Sequence, residues 1–156
     1  MSDQPDIRLA VIGCGLMGRR HAAVIRATPG ARLIALHDRD PQSASRAALP
    51  GETATDDFDA LLASPDVDGV VLCLPSSLHA EFGMRAARVG KHVIVEKPID
   101  SDPARARALA AECAAAGVIC AEIKQYRFAD GMAALKEAVA RGHLGQIVLT
   151  RASIRW

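Results

Sequence analysis

Short runs of apolar, largely β-branched residues alternate along this chain with longer alanine-rich stretches of helical composition. The apolar runs predict strands at about Ile7 to Ile12, Arg32 to His37, Gly69 to Leu74, His92 to Val95 and Val118 to Ala121, with a weaker one near Glu52 to Ala54. The stretches between them predict helices at Leu16 to Ala27, Pro41 to Ala48, Asp57 to Ala63, Leu78 to Val89 and Pro103 to Ala116. Strand and helix alternating in this way form repeated strand-helix-strand units, so the expected fold class is α/β, a doubly wound parallel sheet. The punctuation agrees. Asp40-Pro41 and Asp102-Pro103 each put a capping carboxylate before a proline suited to the first helical position, and Gly90 and Gly117 stand where helices should stop.

The pattern changes near the end. A further helix is expected at about Gly131 to Arg141, then a Gly-His-Leu-Gly turn, then a last strand from Gln146 to Arg155. That strand, with Ile147, Leu149, Ile154 and Trp156, is half apolar and needs a pairing partner, because an open edge leaves backbone donors and acceptors unpaired. The expected division is residues 1–145 as one domain and 146–156 as the opening strand of a second, with self-association through that strand as a consequence.

Length and charge narrow the field. A chain of 156 residues makes one ordinary domain. The longest apolar runs fall far short of the roughly 20 residues that span a bilayer, which argues against a membrane protein. The polar start, Met1 to Asp6, has neither the basic flank nor the apolar stretch of a secretory signal, so a cytoplasmic protein is expected. Net charge is +1 and the basic residues are spread along helices, which argues against nucleic acid as a partner. Cys14, Cys73, Cys113 and Cys120 lack the paired spacing of metal ligands and read as buried free thiols, with no metal expected.

The chemistry begins where the first strand runs into Gly13-Cys14-Gly15-Leu16-Met17-Gly18 and opens a helix. In this context each glycine of a Gly-x-Gly-x-x-Gly turn serves a separate purpose. Gly13 permits the tight turn, Gly15 lets the backbone approach a pyrophosphate, and Gly18 allows close helix-strand packing. Amides around Leu16 and Met17, at the positive end of the helix, would receive the pyrophosphate. The second strand ends at Asp38, about 20 residues on, where this Rossmann fingerprint expects an acidic residue on the ribose hydroxyls. A carboxylate there repels a 2'-phosphate and favours NAD, while Arg39 beside it keeps NADP open. S-adenosylmethionine is the rival nucleotide, and Gly18 argues for the dinucleotide.

The middle of the chain carries a more discriminating pattern, from Val70-Val71-Leu72-Cys73-Leu74-Pro75-Ser76-Ser77-Leu78-His79 to Gly90-Lys91-His92-Val93-Ile94-Val95-Glu96-Lys97-Pro98, followed by Gln125-Tyr126-Arg127-Phe128. This resembles the Gfo/Idh/MocA family, which includes glucose-fructose oxidoreductase and inositol dehydrogenase. The resemblance implies a Rossmann domain followed by a larger open-sheet domain that binds substrate, of which only the opening strand is present here. It implies hydride transfer between a nicotinamide and a small-molecule sugar, cyclitol or similar alcohol or carbonyl substrate. Leu74, Pro75, Ser76 and His79 would then flank the cofactor, Glu96 and Lys97 would approach its nicotinamide end, and Tyr126 and Arg127 would lie at the cleft rim. The Lys97–Pro98 bond is expected to be cis, as the family's motif often has it. Lys97 is the expected catalytic group, because a cation beside a hydroxyl that loses hydride from its carbon favours the alkoxide-like form. The family's proton-handling histidine belongs to the second domain, and His143 matches no such motif, so this chain alone is expected to be inactive. The alternative is a free-standing, non-catalytic dinucleotide-binding or sensor module that docks on a partner through its last strand.

Overall fold

A computed structural model describes residues 5–153, in two compact units divided between Ile123 and Lys124. In the first, six strands form one all-parallel sheet: β1 (Ile7–Ile12), β2 (Ala31–His37), β3 (Thr53–Thr55), β4 (Gly69–Leu72), β5 (His92–Val95) and β6 (Cys120–Glu122). Their order is β3-β2-β1-β4-β5-β6, so the chain reverses its direction of travel between β1 and β4. The connecting helices are α1 (Leu16–Ala27), α2 (Pro41–Ala47), α3 (Phe58–Ala63), α4 (Ser76–Arg88) and α5 (Pro103–Ala115). The doubly wound parallel sheet expected from the pattern is the fold observed.

Alternation along buried strands sorts their side chains to two cores. Leu9, Val11, Leu36 and Val71 pack with Ala22 and Ile25 of α1 and Ala44 of α2 on one face. Ala10, Ile12, Val70, Leu72, Val93 and Val95 pack with side chains of α3, α4 and α5 on the other. Helices α4 and α5 come so close that a Cβ on Gly83 would stand 2.7 Å from Leu109 Cδ1. The expected caps are in place: the Asp40 carboxylate accepts from the Gln42 amide at 3.1 Å and that of Asp102 from the Ala104 amide at 2.7 Å. Gly90 and Gly117 take the left-handed conformation, with φ of +76° and +68°. Two starts differ from expectation by two residues, the others by one at most. Helix α4 begins at Ser76 rather than Leu78, and β6 at Cys120 rather than Val118.

The second unit holds a 3-10 turn, Gln125–Phe128, and helix α6 (Asp130–Ala140). Here the expectation of a strand at Gln146 to Arg155 is corrected: residues 146–153 form no strand, and 154–156 lie outside the described residues. A strand is a pairing, and among the described residues no strand pairs with residues 146–153. Val148 and Leu149 are accordingly exposed at 89% and 84%. Among the described residues no helix is long and apolar enough to cross a membrane.

Candidate active site

Parallel register places four strand ends in one row. The amide of Gly13 bonds the His37 carbonyl, that of Cys73 the Ile12 carbonyl and that of Glu96 the Leu72 carbonyl, so Asp38, Gly13, Cys73 and Glu96 stand side by side after β2, β1, β4 and β5. Three interstrand steps of about 4.8 Å separate the first from the last, roughly 14 Å. The row spans the point between β1 and β4 where the connections reverse, the place where open α/β sheets bind ligands.

The glycine turn is built by close approach. Gly13 has φ of +95°, and a Cβ there would stand 2.6 Å from the Cys73 carbonyl oxygen. A Cβ on Gly18 would stand 1.8 Å from the Gly13 carbonyl oxygen, so bare backbone is obligatory where α1 meets β1. Gly15 is different: a Cβ there meets nothing within 4 Å, and the position opens to the cleft. Gly15 caps α1 without a side chain, which leaves the first-turn amides of Leu16 and Met17 without a capping acceptor.

Asp38 has a role the sequence did not disclose. Its Oδ2 accepts from the Cys14 amide at 2.7 Å and its Oδ1 from the Asp40 amide at 3.0 Å, so the carboxylate staples the glycine turn to the end of β2. A carboxylate offers about four acceptor positions, and two remain for other donors. A cleft of about 360 Å³ opens beside it. Gly13, Gly15, Asp38, Arg39, Leu74 and Pro75 line it as expected. His37, Cys73, Leu78 and Phe82 line it too, and none of the four is marked for that role by the sequence pattern. Leu78 and Phe82 are one helical turn apart on α4, a spacing that marks one face but not which cavity that face meets. Burial pushes the thiols of Cys14 and Cys73 up to about 11 and about 12, so neither is a thiolate nucleophile.

None of the remaining expected residues is part of the cleft lining. His79 is 1% exposed and lies between two turns, with Nε2 2.8 Å from the Leu74 carbonyl oxygen and Nδ1 2.9 Å from that of Pro98. It ties the turn after β4 to the turn after β5. Ser76 opens α4, and Leu16 and Met17 open α1, outside the cleft lining. Glu96 is buried, with Oε1 2.7 Å from His21 Nε2 and Oε2 accepting from the Lys97 amide at 3.0 Å. The Lys97–Pro98 bond is cis, as expected. Lys97 itself is exposed at the end of the row. Tyr126 and Arg127 lie in the second unit, both exposed.

Open backbone at Gly15, uncapped amides at a helix start, and a carboxylate with spare acceptors one strand away fit a pyrophosphate and a ribose diol in that order. The fold and site thus define a dinucleotide-binding domain of the Rossmann type. Residues 7–123 match the Gfo/Idh/MocA oxidoreductase family, NAD-binding Rossmann fold, and the chain belongs to that family. It is 31% identical over 149 residues to an inositol 2-dehydrogenase of Rhizobium meliloti (strain 1021), covering 96% of this chain and 45% of that protein. Among solved structures, GenD2 from gentamicin A biosynthesis in complex with NAD is 30% identical with a TM-score of 0.85, over 92% of this chain and 41% of that one. A 3-ketoreductase from Actinomadura kijaniata in complex with TDP-benzene and NADP is 32% identical with a TM-score of 0.81, over 88% and 44%. The chain therefore spans less than half the length of these relatives.

Proposed function

We propose that this chain is the cofactor half of a dehydrogenase that moves hydride between NAD(H) and an alcohol or carbonyl carbon of a sugar or cyclitol. The observation that carries the reading is the row of strand ends, with Asp38 at one end, open Gly15 near the middle and Glu96-Lys97 at the other. In this arrangement the glycine turn and the α1 amides hold the pyrophosphate, and Asp38 accepts from the adenosine ribose hydroxyls. Arg39 flanks the adenosine, and Leu74, Pro75 and Ser76 bound the cofactor on its far side.

A nicotinamide coenzyme supplies the hydride acceptor or donor. The chain's own part at that end falls to Lys97, whose exposed ammonium stabilises negative charge on the substrate oxygen as the hydroxyl proton leaves. Relatives twice as long support assigning the substrate walls and the proton acceptor to a second domain, which residues 146–156 open and whose edge makes the contact between copies. Hydride transfer needs a positioned substrate and exclusion of water, so this chain alone binds cofactor and turns nothing over.

Titration of the purified chain with NADH and NADPH, followed by nicotinamide fluorescence, tests the reading. Saturable binding with NADH ahead of NADPH is expected. Binding of neither nucleotide refutes it.

A further inference from the structure

The turn that carries Lys97 is held by a side chain outside both the glycine turn and the lysine motif. His21 lies on α1, three residues beyond Gly18, and its Nε2 is 2.7 Å from Glu96 Oε1 across 75 residues of sequence. The two side chains are 19% and 10% exposed, so water competes weakly for the contact. The second Glu96 oxygen accepts from the Lys97 amide, and the carboxylate thus joins α1 to the lysine backbone. Glu96 also lies near enough to cleft-lining Cys73 for its charge to help raise that thiol.

The other side of the same turn is held independently. The Pro98 carbonyl faces His79 Nδ1 at 2.9 Å, and the Asp100 carboxylate accepts from the Ala80 amide at 3.1 Å, which ties residues 98–100 to α4. Removing His21 therefore releases Glu96 and Lys97 while leaving the α4 tether intact.

We propose that His21 is a positioning residue for the nicotinamide end: through Glu96 it fixes the Lys97 backbone relative to the helix whose first turn receives the pyrophosphate. The geometry makes α1 serve the cofactor twice, at its start through backbone amides and in its second turn through His21. The proposal rests on the cofactor-side reading of Lys97 given above.

Two readouts on the 156-residue chain test it, with His21→Ala and His21→Gln, the latter keeping an N–H donor. In the nucleotide-free chain, amide hydrogen exchange followed by NMR should speed up about tenfold at Lys97 in His21→Ala, stay unchanged at Val93 and Ala80, and return most of the way in His21→Gln. With ligand, His21→Ala should weaken NADH about tenfold while ADP-ribose, which lacks the nicotinamide, changes less than about twofold, and His21→Gln should recover NADH binding.

Unchanged Lys97 exchange, acceleration throughout the sheet, equal losses for both ligands, or failure of glutamine to restore either signal would overturn the proposal. If the unaltered chain binds neither ligand, the cofactor reading fails and the exchange result alone decides whether His21 positions Lys97.

Discussion

Replacing Asp38 separates two functions that one carboxylate performs. Asp38→Ala removes the acceptor of the Cys14 amide, and Cys14 is 1% exposed, so that N–H is stranded away from water. A buried donor left unpaired costs about 1–3 kcal/mol, whereas the Asp40 amide is exposed and finds water. The expected loss of folding stability is about 2 kcal/mol, read as a lower urea midpoint. Cofactor binding should fall separately, because the spare acceptor positions for two ribose hydroxyls vanish; about 2 kcal/mol again, or roughly 30-fold in NADH affinity after correction for the folded fraction. Asp38→Asn divides the effects. Its one carbonyl oxygen can keep the Cys14 bond, so stability should recover by about half, while NADH affinity stays reduced and NADPH gains on NADH as repulsion of the 2'-phosphate disappears. Nicotinamide fluorescence and urea denaturation on the three chains give all four quantities. Unaltered NADH affinity in Asp38→Ala, with the expected drop in stability, would refute the ribose role and leave Asp38 as a staple of the turn.

Two further outcomes follow from packing and burial. Gly18→Ala puts a Cβ 1.8 Å from the Gly13 carbonyl oxygen, a rigid backbone atom, so α1 must separate from β1; a loss of about 3 kcal/mol is expected, and an unchanged urea midpoint would show that the helix shifts freely. Burial lowers the pKa of His37 from its ordinary 6.5, so the folded chain holds the ring neutral. That contribution to stability is complete above about pH 6.5 and is lost as pH falls through the lower folded value, because the unfolded chain then binds the extra proton. The thermal midpoint should drop more between about pH 7 and about pH 5 than in His37→Phe, and parallel pH profiles of the two chains would remove His37 as the cause.

Several features of the fold depend on single residues acting on their own neighbourhood. Asp40 and Asp102 cap helices because the amide each needs is two residues away, and Gly90 and Gly117 end helices because a missing Cβ permits positive φ wherever the residue stands. The glycine turn was legible for the same reason, and with it the nature of the ligand.

Other features of the site join residues far apart in sequence. The contact between His21 and Glu96, the grip of Asp38 on Cys14 and the seat of His79 between Leu74 and Pro98 each needed the register of the sheet and the packing of helices before the partners met. His37 and Phe82 reached the cleft wall in the same way. The segment from Gln146 shows the limit most plainly: its alternation is that of a strand, yet residues 146–153 form none. By itself the sequence determined the helices, their caps, the buried strands and the cofactor turn, all written in short-range sterics and hydrogen bonds. Tertiary structure decided which side chains share the cleft and whether a strand pattern becomes a strand, because pairing across a sheet is a property of two segments and never of one.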